Sequence, residues 1–427
     1  MEQACAGKRG NLVYIDMLGA SREVGRSCFI VNTDKKIMLD CGLKIHNKEA
    51  PHQYPLPPPL GVDAVVLSHA HLDHVGFLPS VFDHYNPAVY ATPPTRDIAE
   101  LLLLDSAKII LEDTGVLPYK RSSHAKAMKA FSLRSYNEII SLGDTSIKLM
   151  DAGHVPGSSG VLVEEGGKRL LYSGDFKLSD TQMHNAAQVE KDVDLLIIES
   201  TYASRDHPNR LDLESQLVQR AREIVVDGGN LLLPAFAVGR TQELLSIMQR
   251  HAPEIPVWVD GMGVEASKIV SGYPAYVRDV RKFRQYFAGC KTVKDMRERK
   301  KVLSTPSVII STAGMLQGGP AMQYLLSLNE QSEIIFTGYC VEGTNGHNLL
   351  NFGYVEKDGE RIVPSVPVKY LDFSAHAGRS ELFDYVKRAN PKKVVCVHGD
   401  NCEGFAEELK LEGFDASAPV AGDKVEV

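Results

Sequence analysis

Short apolar runs recur along the chain, separated by stretches with helical spacing. Asp63-Ala-Val-Val-Leu67, Lys168-Arg-Leu-Leu-Tyr172, Asp194-Leu-Leu-Ile-Ile198, Asn230-Leu-Leu-Leu233, Pro256-Val-Trp-Val259, Ser307-Val-Ile-Ile310, Glu333-Ile-Ile-Phe336 and Lys393-Val-Val-Cys-Val397 read as buried strands. Thr95–Leu111, Leu211–Val226 and Thr241–His251 read as helices between them. Strands alternating with helices predict a layered α/β fold. The proline-rich run from Pro51 to Leu60 is expected to be a loop, since proline cannot sit inside a helix or a sheet ladder. The residues just after four strands are chemically active types: Ser68-His69, Ser173-Gly-Asp175, Glu199-Ser-Thr201 and His398-Gly-Asp400. Open α/β sheets gather their sites at strand carboxyl ends, so these four ends predict one shared site.

Composition narrows the classes. The 427 residues are 44% hydrophobic and 24% charged, an ordinary globular balance with length for two or three domain-sized units. No apolar run approaches the ~18–20 residues of a membrane span. Met1 to Gly10 lacks the apolar stretch of a signal peptide, so the cytoplasm is the expected location. Cys5, Cys28, Cys41, Cys290, Cys340, Cys396 and Cys402 include no C-x-x-C pair, which argues against a disulfide framework or a zinc ribbon. The net charge of −7 hides an asymmetry, because ten Lys or Arg against three acids lie between Arg278 and Lys301. That stretch, which includes Arg281, Lys282 and Arg284 among interleaved aromatics, reads either as a solvated amphipathic helix or as a phosphate-tracking surface.

The strongest chemical signal is His69-Ala-His71-Leu-Asp73-His74, the pattern H-x-H-x-D-H directly after a strand. Imidazole and carboxylate are good zinc ligands near neutral pH, and a tight loop can aim His69 and His71 at one metal and Asp73 and His74 at another. His154, Asp175 and His398, each in a turn or after a strand, are candidates for the remaining ligands. Two metals roughly 3.5–4 Å apart clamp the attacking and leaving oxygens of a phosphoester. Neither a G-x-S-x-G elbow nor a Walker motif is present, so covalent serine catalysis and NTP hydrolysis have no sequence support.

These residues resemble the metallo-β-lactamase superfamily. Asp40 in Met38-Leu-Asp-Cys-Gly42, the His69–His74 motif, His154 and Asp175 match its successive motifs in order. The resemblance implies one metal held by His69, His71, His154 and Asp175, a second held by Asp73, His74, Asp175 and His398, and Asp40 supporting the site by hydrogen bonding. Ile197-Ile-Glu-Ser-Thr-Tyr202, Asp372-Phe-Ser-Ala-His-Ala377 and Val397-His398 resemble motifs A, B and C of the β-CASP nucleases. Asp73, Glu199 and His376 are then the catalytic candidates, with the Glu199 carboxylate orienting the His376 imidazole so that it can protonate a leaving oxygen. The histidine at motif C is similar to the RNA-cutting branch, whereas the Artemis-like DNA-repair branch carries valine there.

Three further blocks, Leu233-Pro-Ala-Phe-Ala-Val-Gly-Arg-Thr-Gln-Glu243, Ser311-Thr-Ala-Gly-Met315 and Thr337-Gly-Tyr-Cys-Val-Glu-Gly-Thr344, resemble the cleavage and polyadenylation specificity factor nucleases. Arg240 and Ser374 are candidate phosphate contacts, together with Arg281, Lys282 and Arg284. The length is similar to that of the short, core-only archaeal proteins of this group. The resemblance implies a four-layer αβ/βα metallo-β-lactamase fold from residues 1–199 and 360–427, with an inserted α/β β-CASP domain at 200–359. It implies a ribonuclease with two zinc ions acting on single-stranded RNA, with no membrane partner. Endonucleolytic cutting is expected, with 5′→3′ exonuclease action of RNase J type, an RNA-binding subunit dependent on partners, and a small-ester or thioester hydrolase as the rivals. A homodimer and a larger RNA-processing assembly are expectations from relatives alone.

Overall fold

The computed structural model describes residues 13–44, 53–59 and 61–427. Met1–Gly10 with Cys5, and Pro51, His52 and Leu60 of the proline-rich run, lie outside the described residues. Among the described residues, no helix is long and apolar enough to cross a membrane.

Two seven-stranded sheets face one another. The first runs Lys424–Glu426, Tyr14–Met17, Phe29–Asn32, Lys36–Leu39, Ala64–Val66, Ala88–Ala91, Phe131–Leu133; the second runs Ala416–Ser417, Lys393–Val397, Leu195–Glu199, Lys168–Tyr172, Ser159–Glu165, Thr145–Asp151, Ile139–Leu142. Side chains alternate faces along a strand, and the cores follow that period. Leu195 and Ile197 meet Ile37, Leu39 and Val66 in the core between the sheets. Leu196 and Ile198 point the other way, onto Leu382 and Val386 of helix Arg379–Ala389 and Phe405 and Leu409 of helix Cys402–Leu411. On the outer face of the first sheet, Met38, Val65 and Val89 pack against Ile98 and Leu103 of helix Pro93–Thr114. The order helix, sheet, sheet, helix is the expected four-layer arrangement.

A third sheet, wholly parallel, is inserted: Lys291–Thr292, Val257–Asp260, Ser307–Ser311, Asn230–Pro234, Glu333–Phe336, Val368–Tyr370. Helices Arg210–Val226 and Arg240–His251 cover one face and helix Gly319–Leu325 the other. Sheet membership carries the insertion to Tyr370, past the expected boundary at 359. The sequence conceals that last strand because it is short, half-exposed and preceded by Pro364 and Pro367, the signature of an edge. Leu195–Glu199 and Lys393–Val397, on either side of the insertion, are parallel neighbours with Glu199 beside Val397.

Candidate metal centre

The H-x-H-x-D-H motif changes conformation half-way. His71 sits on extended backbone as the N-cap of a one-turn helix, Leu72–Val75. That turn swings Asp73 and His74 to a different side. The loop is clamped from behind: Ser27 N–H and Cys41 N–H donate to the Asp73 and His74 carbonyls at 2.8 Å. Gly42 is required by this close approach, since a methyl group there would lie 1.7 Å from the Asp73 carbonyl oxygen.

The ring and carboxylate atoms then converge. His69, His71, His154 and Asp175 form one group, and Asp73, His74, Asp175 and His398 another, with the donor atoms of each group within 4.8 Å of one another. Asp175 belongs to both. His69 Nε2 lies 3.1 Å and His154 Nε2 3.3 Å from His71 Nδ1. Three ring nitrogens aimed at one point cannot satisfy each other fully, since an imidazole nitrogen either donates or accepts. His154 Nδ1 donates to the Ala375 carbonyl at 3.0 Å, which turns its other nitrogen inward. The buried His74 Nε2 and Asp175 Oδ1 have no hydrogen-bond partner. Orphaned buried atoms facing a shared centre are suited to ligating a cation, and the donor set suits zinc. The site residues expected from the sequence therefore fit two metal ions.

Charge makes the same point. Burial lowers the pKa of His69 and His154 well below, and that of His71 below, the ordinary histidine value. For His74, burial also opposes charging, but Asp175, Asp73 and Asp40 outweigh it and raise the pKa well above the usual value. Asp73 and Asp175 are pushed upward by burial and pulled further down by His74 and His398, so both remain carboxylates. Buried carboxylates at this density need positive charge, supplied by protons or by metal ions.

Asp40 is fully buried and makes no approach to the ligand groups except through His74. Its Oδ2 accepts from His74 Nδ1 at 2.8 Å, Tyr172 Oη at 2.8 Å and Ser68 Oγ at 2.6 Å, while Oδ1 accepts the Ser68 N–H at 2.7 Å. Asp40 and His398 hold left-handed backbones with φ of 57° and 51°. Such conformations cost of order 1–3 kcal/mol and persist where surroundings over-determine them.

Glu199 and His376 meet as expected, with His376 Nδ1 donating to Glu199 Oε2 at 2.9 Å. Glu199 Oε1 accepts the Phe176 N–H at 2.9 Å. His376 Nδ1 also lies 3.8 Å from Asp175 Oδ2, so the pair borders the metal groups. Burial opposes protonation of His376, but the Glu199 and Asp175 carboxylates prevail and raise its pKa to about 9. The His376 carbonyl accepts from Lys177 Nζ at 2.9 Å, and that ammonium pairs with Glu381 at 2.8 Å. Ser374 Oγ accepts the His376 N–H at 3.2 Å, so it shapes the turn that presents the imidazole. The contacts of Lys177 and Tyr172 escape sequence reading, because a single polar residue carries no pattern.

Arg240 stands beside this turn, donating through Nη1 to the Phe373 carbonyl. Its Nε is buried without a partner, and burial followed by Arg210 lowers its pKa to about 10. Arg281, Lys282 and Arg284 are not brought to the metal groups. They ride the amphipathic helix Val280–Gly289, whose Phe283 is buried and whose Phe287 packs on the core. Arg284 is bound to the Ser271 carbonyl at 2.6 and 2.8 Å and Lys282 to Asp279 at 3.4 Å, while Arg281 is exposed.

Comparison with known proteins adds three family matches. The metallo-beta-lactamase superfamily profile covers residues 22–217, a Beta-Casp domain profile residues 241–349, and a Zn-dependent metallo-hydrolase RNA specificity domain profile residues 363–419. The chain is 35% identical to the probable RNase MJ4 of Methanocaldococcus jannaschii, over 96% of this chain and 99% of that protein. It is 34% identical to RNase aCSPSF2 of Saccharolobus solfataricus, over 96% of this chain and 85% of that one. The transcription termination factor FttA of Methanosarcina mazei is 34% identical over 94% of this chain and 70% of its own length. A crystal structure of a protein of unknown function from Enterococcus faecalis shares the fold, with a TM-score of 0.64 at 14% identity, over 97% of this chain and all of that one.

Proposed function

The chain belongs to the metallo-β-lactamase superfamily, in its Beta-Casp group of metal-dependent ribonucleases, and from that premise we propose that it cuts single-stranded RNA internally with two zinc ions, leaving a 5′-phosphate and a 3′-hydroxyl. The observation that carries this reading is the pair of ligand groups sharing Asp175, with His376 and Glu199 at their border. His69, His71 and His154 would hold one ion, Asp73, His74 and His398 the other, and Asp175 both. When bound, the ions supply Lewis acidity, acidifying water and drawing charge off a phosphodiester.

The protein's own groups supply orientation and a proton. His376 donates Nδ1–H to Glu199, which fixes the ring and leaves Nε2 free to deliver a proton to the departing oxygen. Its Nδ1 side is anchored in the core, while the side chain is 21% exposed, so substrate can reach it. Asp73, 30% exposed, is the most accessible of the ligand carboxylates and the one placed to take a proton from attacking water. Arg240 neutralises a phosphate next to the Phe373–His376 turn. Arg281 and Lys282 extend the path for the strand across the insertion. The proposed location is the cytoplasm, and light scattering of the purified protein tests the proposed homodimer.

A circular single-stranded RNA tests the mode of cutting. Linear product from the circle is expected, and intact circles alongside degraded linear RNA would replace the endonuclease reading by the 5′→3′ exonuclease one. Metal analysis is expected to find two zinc ions per chain in the wild type and fewer in His71→Ala, which should cut RNA roughly a thousandfold more slowly or worse. Undiminished cutting by that variant would remove the metal centre from the mechanism.

A further inference from the structure

The carboxyl edge of the third sheet holds two aromatic rings that packing does not use. Phe236 is 41% exposed and Tyr339 55% exposed, and neither ring rests on another aromatic ring among the described residues. Their backbones are not loose. The Phe236 carbonyl accepts from Thr241 N at 3.2 Å and Thr241 Oγ1 at 2.7 Å at the start of helix Arg240–His251. Tyr339 follows directly on strand Glu333–Phe336 and the Thr337-Gly338 step.

Gly338, next to Tyr339 in the chain, lies beside the Phe236 ring. A methyl group there would sit 3.8 Å from Phe236 Cε2 and 3.9 Å from Arg240 Nε and Nη2, ordinary contact distances. Its backbone is outside the left-handed region. Neither packing nor conformation therefore calls for glycine at this position; what the missing side chain provides is an open floor beside a cation. Partial burial and then the carboxylates of Asp400 and Glu342 raise the pKa of the Tyr339 phenol, and Asp400 stands two residues beyond His398.

We propose that Phe236 and Tyr339, with Gly338 beside both, form a stacking platform for unpaired bases of the RNA strand, which sets the nucleotides lying next to the scissile phosphate. The inference rests on the ribonuclease reading. The occupant follows from the neighbours: Arg240, beside Gly338 and bound to the Phe373 carbonyl near His376, offers charge to a phosphate, and exposed rings next to it suit the π-face that every base presents. Recognition of this kind tolerates any sequence and rejects duplexes, whose bases are already stacked.

The test uses the full-length zinc-loaded enzyme and a short single-stranded RNA cut at one position. Tyr339→Ala and Phe236→Ala should each raise KM by roughly 5- to 150-fold while kcat changes far less. Tyr339→Phe and Phe236→Tyr should behave as the wild type. An abasic nucleotide walked along the RNA should weaken wild-type binding at one or two positions and have no further effect there in the alanine variants. Phe352→Ala, at an exposed ring already resting against Tyr354, should leave KM unchanged. Should an alanine variant fold poorly by thermal melting, the leucine variant at the same position takes its place with the same expectation. Unchanged KM in both alanine or leucine variants, loss that the aromatic swaps do not rescue, or abasic effects that add to the variants would overturn the platform while leaving the ribonuclease reading intact. A wild-type enzyme that cuts no RNA would end both.

Discussion

The metal groups and the edge of the inserted sheet are built on opposite plans. In the metal groups almost every side chain is buried and committed. Asp40 alone organises Ser68, Tyr172 and His74, and the atoms left without partners face one centre. At the edge of the third sheet the side chains are sparse, glycines leave the floor bare, and the rings of Phe236 and Tyr339 stand in solvent. The first plan fixes atoms to a fraction of an ångström, as catalysis needs. The second leaves room, as a substrate of variable sequence needs. Chemistry is held by what is filled, and recognition by what is left open.

This contrast can be broken in order of expected effect. His376→Ala should lower kcat by roughly 10²–10⁴-fold with zinc content unchanged, because it removes a proton donor and no ligand. Loss of zinc in that variant would make His376 part of the metal groups and blur the division. Asp40→Asn should weaken zinc affinity by roughly 10–100-fold, measured by competition with a chelator, since it disturbs the support of His74 without removing one of the proposed ligands.

The join between the two regions should respond to acid. Burial lowers the pKa of His184 to about 4, and its neighbours Gln182 and Met183 donate their N–H groups to Glu243 of the inserted helix. Because the folded value lies below the unfolded one, the unfolded chain binds the extra proton, and stability is lost as pH falls from about 6.5 toward 4. In chelator-treated protein, His184→Gln should remove on the order of 2 kcal/mol of that pH dependence, read from denaturant midpoints. Parallel curves for the two proteins would exclude His184 as the sensitive group. Last and smallest, Arg281→Gln should weaken RNA binding a few-fold and reduce the slope of log affinity against log salt by about one. An unchanged slope would take the exposed helix out of the strand's path.

The two plans also differ in how far the sequence discloses them. The clustering of His and Asp was legible because the motif concentrates rare residue types at short spacing, and because the apolar runs place them at strand ends. The eight buried strands and three helices read from periodicity all form, within three residues at their ends. What stayed hidden depends on exposure or on distant partners. Phe283 and Phe287 look interchangeable with Phe236 in a list of aromatics, yet two face the core and one faces solvent. Lys177 reads as any lysine until the chain brings Glu381 to it. Val368–Tyr370 is too short and polar to announce itself as part of a sheet.

The neighbouring strands Leu195–Glu199 and Lys393–Val397 have a consequence for the protein's birth. His69, His71, His154 and Asp175 leave the ribosome before the insertion is made, so one ligand set is complete early. His376 and His398 emerge only after it, and the second ligand set and the proton donor wait for them. A nascent chain, tethered beside the very message being translated, would therefore carry part of the proposed metal centre before it carries the proposed proton donor. The order of the residues would hold cutting back until synthesis is nearly done.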